Sequence, residues 1–148
     1  MNLPYSVMAS SLKGITGLLC EIDGEQLQNV PTHGPLILVC NHINFLEAPV
    51  VVGQLQPRVV TAFAKSETWD NPFLAALFNL FGAIPLRRGE ADMVALKQGL
   101  KALEQGKILA ITPEGTRSGH GRLQKGHPGV TMMALHSQAP ILPLVYWG

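Results

Sequence analysis

Two kinds of apolar pattern alternate along this chain. Short unbroken runs occur at PLILVC (35–40), RVVTAFAK (58–65), AIPLRR (83–88), KILAIT (107–112) and ILPLVYW (141–147). Such runs, bounded by turn residues and rich in β-branched side chains, predict strands covered on both faces. Between them lie stretches with helical spacing. Residues 4–19 carry Val7, Met8, Leu12, Ile15 and Leu19 and predict a first helix, and EAPVVVGQL (47–55) predicts a short one. NPFLAALFNLFG (71–82) has Asn71 as a cap, Pro72 in the first turn and Gly82 at the exit.

The clearest helical pattern is EADMVALKQGLKALEQGK (90–107), where Met93, Leu96, Leu100 and Leu103 form one apolar stripe. Glu90 and Asp92 at its start and Lys101 and Lys107 near its end match the helix dipole, and Gly106 is a natural stop. GVTMMALHS (129–137) predicts a last helix. The segment EIDGEQLQNVPTHGP (21–35) is turn-rich. Strands alternating with helices predict an α/β layered domain whose central sheet is largely parallel and flanked by helices. In such sheets ligands bind beyond the carboxyl ends of the strands. His42, the arginines after Leu86 and the turn Pro113–Arg117 all follow predicted strands there.

Composition adds a second constraint. Hydrophobic residues make up 47% of the 148 residues and charged ones only 14%, against a usual charged share of about 25%. So few charges leave apolar surface to face lipid or a partner. The net charge of +1 lacks the clustered basic excess that nucleic acid requires. It divides into −3 over residues 1–57 and +4 over 58–148, and a mildly cationic second half suits an anionic small molecule or membrane surface. Cys20 and Cys40 do not make a disulfide framework and fit a reducing compartment. The N-terminus lacks a signal-peptide pattern. The longest central uncharged stretch, 71–86, has 16 residues, short of the roughly 20 that span a bilayer. A cytoplasmic protein, peripheral at a membrane surface, is expected.

Four segments carry candidate chemistry. NHINFLE (41–47) places His42 after a strand with Glu47 five positions on. It fits either a base with its second ring nitrogen held by a carboxylate or a polar surface turn. GAIPLRRG (82–89) offers Arg87 and Arg88, either as forked donors to a phosphate or as a solvated strand edge. TPEGTRS (112–118) combines Gly115, which permits close approach of a ligand, with the hydroxyl of Thr116, the cation of Arg117 and Glu114. APILPL (139–144) is scaffold that could line an apolar channel.

In this order the four segments resemble the glycerolipid acyltransferase superfamily, and most closely the 1-acylglycerol-3-phosphate O-acyltransferases. That family is marked by Asn-His-x4-Asp, Gly-x-Ile-Pro-Leu-x-Arg-Gly, Pro-Glu-Gly-Thr-Arg-Ser and a late Pro-rich strand. The match runs from about Pro35 to Val145. It implies one acyltransferase domain over 1–148, with an N-terminal helix and lead-in (1–34) and a motif-bearing core (35–148) expected to end short of the usual C-terminal elements. It further implies transfer of a fatty acyl group from acyl-CoA or acyl carrier protein to a lysophospholipid hydroxyl, with phosphatidic acid as product. His42 takes the place of the catalytic base, and Glu47 stands where the family has Asp. Arg88, Glu114, Gly115, Thr116 and Arg117 match the acceptor-phosphate positions.

The added methylene of Glu47 moves a carboxylate by about 1 Å, a displacement that can matter about a hundredfold in rate. Lys65, near a strand end, is a candidate oxyanion donor. No metal or other cofactor is expected, since His120, His127 and His136 show no ligand spacing. Two alternatives stay open at this level: a lysophospholipid-binding module without turnover, and an acyl-thioester hydrolase. A covalent route through Cys40 is a further variant of the transferase.

Overall fold

The computed structural model describes residues 3–89, 91–119 and 122–147. Five parallel strands form one sheet: β1 (Leu36–Cys40), β2 (Val60–Lys65), β3 (Ile84–Leu86), β4 (Ile108–Ile111) and β5 (Ile141–Leu144), in the order β3-β2-β4-β1-β5. The expected α/β architecture is therefore present, with the sheet wholly parallel. Helices α1 (Leu3–Leu19) and α2 (Glu47–Gln54) cover one face, and α4 (Met93–Glu104) and α5 (Gly129–Ser137) cover the other. Helix α3 (Pro72–Leu80) buries no residue and lies against the 3-10 turn Ser66–Asp70.

Alternation along β1 decides which residues meet which layer. Leu36, Leu38 and Cys40 join Tyr5, Ala9, Val51 and Val52 in one core cluster, while Ile37 joins Leu103, Leu109 and Met133 in the other. Successive strand side chains point to opposite faces, so an unbroken apolar run is what a sheet covered on both sides needs.

The helix boundaries follow local chemistry. Asn71 Oδ1 accepts from the N–H groups of Phe73 and Leu74, and Pro72 fills the first position of α3. Gly82, at φ 64°, turns the chain out of that helix. Asp92 caps α4 by accepting from Ala95 N–H at 3.0 Å, so α4 begins at Met93; Glu90 lies outside the described residues.

Three expectations change. The face α4 buries is Ala95, Gly99, Ala102 and Leu103, with Met93 54% exposed. Leu96, Leu100 and Leu103 of the expected stripe do meet the core, and only Met93 stays out. Small residues share the face because α4 packs close: a Cβ at Gly99 would sit 2.8 Å from both Met133 Cε and Phe63 Cζ. The last strand ends at Leu144, not at Trp147, because Tyr146 turns to pair its backbone with the Asn41 side chain. Arg58, written into the second strand from sequence, instead precedes β2. Its buried guanidinium donates to the carbonyls of Pro31, Gly34 and, at 3.0 Å, Gly106.

Helices α1 and α2 meet at a glycine. A Cβ at Gly53 would fall 2.8 Å from Lys13 N and 2.9 Å from Lys13 Cα, both backbone atoms that cannot swing aside. Gly53→Ala should therefore destabilise the fold by about 1–3 kcal/mol through overpacking. Gly17→Ala, with open space around its Cβ, should be neutral or stabilising by up to about 1 kcal/mol. Urea unfolding of the two variants beside wild type checks the contrast.

Candidate active site

All five strands are parallel, so their carboxyl ends share one edge, and that edge gathers the candidate side chains. The β1–β4 register pairs Val39 with Ile111; three residues further along both chains stand His42 and Glu114. The contact is direct, because His42 N–H donates to Glu114 Oε1 at 3.2 Å. In the return direction Ser118 N–H donates to the His42 carbonyl at 2.8 Å. Arg117 is thus next in chain to a residue bonded to His42, and its side chain is exposed.

The turn between β1 and α2 is built around one carboxylate. Glu47, the first residue of α2, is buried and folds back over its own turn. Its Oε2 meets His42 Nδ1 at 2.6 Å, and its Oε1 accepts from the N–H groups of Ile43 and, at 2.8 Å, Asn44. Two backbone donors and an imidazole satisfy the anion, as burial demands. With Nδ1–H pointing at Glu47, the tautomer follows: Nε2 carries the lone pair. The ring is part exposed, its side chain 23% accessible, and no described residue bonds Nε2. Geometrically this is a base held at one nitrogen and open at the other.

Asn41 anchors the turn from the opposite side. Its carboxamide donates to Tyr146 O at 2.9 Å and accepts from Tyr146 N–H at 2.8 Å, doing what a strand backbone would do. The Tyr146 hydroxyl reaches toward the Glu47 carbonyl and the Cys40 thiol. Burial, above all, pushes the Tyr146 phenol up and raises the Cys40 thiol to about 12, with the nearby Glu47 charge adding to the latter. A thiol so held stays protonated and is a poor nucleophile.

The remaining candidates occupy different parts of the edge. Lys65, at the end of β2, is exposed and lies 3.1 Å from Glu67 Oε1. Arg87 donates its backbone N–H to Asp92 Oδ2 at 3.0 Å, with Nε 3.5 Å from the same oxygen. Backbone bonds from Ala95 and Arg87, and then the Arg87 charge, hold Asp92 below the usual carboxylate range. Arg88 is exposed and bonded to no described residue. It follows β3, three strands from His42, or about 14 Å at the usual strand spacing.

Gly115 adopts φ 67°, and the His127 ring lies over it: a Cβ there would fall 3.3 Å from His127 Cδ2. Thr116 and Glu114 line a pocket of about 510 Å³ whose other wall is Gln124, Lys125, Gly126, His127 and Pro128. The sequence assigns Lys125 no role and shows no ligand spacing for His127, since no local period links 124–128 to 114–116. Among the described residues no group of three His, Cys, Asp or Glu side chains could hold a metal ion, and His120 lies outside them.

An α/β domain thus brings an imidazole, its buried carboxylate partner and several cations to one sheet edge. The family model described as Acyltransferase matches residues 21–147, and the chain belongs to that family. A 1-acyl-sn-glycerol-3-phosphate acyltransferase from Bacillus subtilis is 25% identical over 97% of this chain and 71% of its own length. One from Limnanthes alba is 30% identical over 99% of this chain and 52% of its own. The crystal structure of the 1-acyl-sn-glycerophosphate (LPA) acyltransferase PlsC from Thermotoga maritima superposes with a TM-score of 0.75 at 21% identity, over 99% of this chain and 58% of that one. The chain therefore spans little more than half the length of the plant relative and of the Thermotoga protein.

The Cys40 environment has a pH consequence. The thiol ionises near 9 in an unfolded chain but only at about 12 in the folded one. Between those values the unfolded state binds fewer protons, so stability falls as pH rises above about 9, by about 1.4 kcal/mol per pH unit. Cys40→Ala should remove this slope from urea unfolding between pH 8.5 and 10.5. It should also leave turnover intact, the outcome a covalent route through Cys40 forbids.

Proposed function

We propose that this domain transfers a fatty acyl group from a thioester carrier, coenzyme A or acyl carrier protein, to the free hydroxyl of 1-acylglycerol-3-phosphate. The observation that carries the reading is His42, bonded through Nδ1 to Glu47 at 2.6 Å and open at Nε2. In this reading Nε2 removes the acceptor proton as its oxygen attacks the thioester carbonyl, then returns that proton to the leaving thiolate. Glu47 holds the ring and stabilises the imidazolium as it forms.

Arg117, next in chain to the Ser118 that bonds His42, and Arg88, from the far edge, take the acceptor phosphate together with Thr116, Gly115 and the Lys125 side of the pocket. Arg87 serves as a second cation behind Arg88, and Lys65 as a donor toward the oxyanion. Binding both reactants at attack distance supplies much of the acceleration.

A membrane-surface location on the cytoplasmic side is part of the same proposal. Helix α1 exposes Leu3, Val7, Ile15, Leu18 and Leu19, and Phe45 in the His42 turn is 73% exposed. Lipid substrates partition to such a surface. Among the described residues no helix is long and apolar enough to cross a membrane.

Thiol release from an acyl thioester, followed with and without lysophosphatidate, checks the reading. Wild type should release thiol only when the acceptor is present, and His42→Ala should lower kcat by about 10²–10⁴-fold. Arg117→Ala should raise the acceptor KM by about tenfold, one charge-assisted contact with a phosphate. Thiol release without acceptor would make the domain a hydrolase, and lysophosphatidate binding without any release would make it a binding module.

A further inference from the structure

Glu114 sits in the motif that the resemblance assigns to acceptor phosphate, yet its surroundings suit another task. It is 6% exposed. Each carboxylate oxygen has a backbone donor from a different segment: His42 N–H on Oε1 at 3.2 Å and Gln124 N–H on Oε2 at 2.9 Å. Two further backbone bonds lie alongside, Ser118 N–H to His42 O and His127 N–H to Pro113 O, both 2.8 Å. An anion turned toward the protein's own amides is also a poor partner for a phosphate, which it repels.

We propose that Glu114 is a positioning residue rather than a substrate ligand. It ties the backbone of His42 to the loop 124–128, and so fixes the base relative to the wall of the pocket that carries Lys125 and His127. The effect on turnover rests on the reading of His42 as the base; the tie itself does not. No covalent step is involved. The carboxylate acts through geometry, keeping Nε2 at the distance from the bound hydroxyl that proton transfer needs.

The test is Glu114→Gln, whose carboxamide keeps one acceptor oxygen and presents an NH2 group to the second backbone donor. Amide hydrogen exchange is measured without substrate, and kcat and acceptor KM are measured with acyl-CoA and lysophosphatidate. The amides of His42 and Gln124 should be protected in wild type. At least one should exchange freely in the variant, while Leu109 in β4 stays protected and reports an intact sheet. The kcat should fall by about 10–100-fold, as for a displacement on the order of 1 Å, with a much smaller change in acceptor KM.

A raised acceptor KM with kcat and both amides unchanged would show that Glu114 touches substrate and would overturn the proposal. Should Glu114→Gln fail to fold, Gln124→Pro removes one donor and leaves the carboxylate in place. Lowered kcat with Leu109 still protected then supports the tie, and full activity overturns it. Wild type that shows the protected amides but no acyl transfer would sink the transferase reading and leave the tie standing.

Discussion

The site depends on one buried anion and the donors that surround it. Glu47 is taken out of water, and an isolated carboxylate there would be strongly disfavoured. Two consecutive backbone N–H groups and the His42 ring prevent that. The same three bonds set the shape of the turn, the rotation of the imidazole and the identity of its free nitrogen. Removing the anion would therefore disturb backbone and ring together. From the first position of α2 the Glu47 side chain reaches back over its own turn to both the ring and the amides.

The parallel sheet supplies the second constraint. Segments far apart in the chain become neighbours because every strand delivers its following loop to the same edge. Residue 42 meets residue 114 by extension of the β1–β4 register, and residue 41 meets residue 146 across β1 and β5. Asn41 matters here for its shape: a side-chain amide offers a donor and an acceptor as a peptide group does, and so ends the sheet without leaving Tyr146 unpaired. Cys40 belongs to this support. Its buried, protonated thiol fills the space beneath the turn beside Tyr146.

What could be read from the chain was what depends on local order. Strand runs, the Asn71 cap, the glycine exits and the His42–Glu47 spacing are short-range signals, and the structure contains each. On α4 the leucines of the stripe meet the core and Met93 does not, because periodicity tells which residues are apolar, not how near a neighbouring layer lies. Only the approach of Phe63 and Met133 to Gly99 shows that the small residues face the sheet. Arg58, Gln124, Lys125 and Tyr146 were silent for a related reason. Their partners are backbone atoms or loops brought near by strand register, and no spacing within the chain encodes such a meeting.

Two buried carboxylates at an edge proposed to receive a phosphate look self-defeating. At about 5 Å and an effective dielectric near 20, each unscreened like-charge contact would oppose the ligand by about 3 kcal/mol. The arrangement of donors resolves this. Glu47 faces two backbone N–H groups and the imidazole, and Glu114 faces the N–H groups of His42 and Gln124, so both negative charges are met from within the protein. Arg88, Arg117 and Lys125 are exposed. In the proposed reading these cations set the field a ligand meets, while the anions, engaged by backbone donors, govern geometry. On that reading a chain with a net charge of only +1 needs no cationic surface to receive a phosphate, and the proposed phosphate and the proposed base can share one edge.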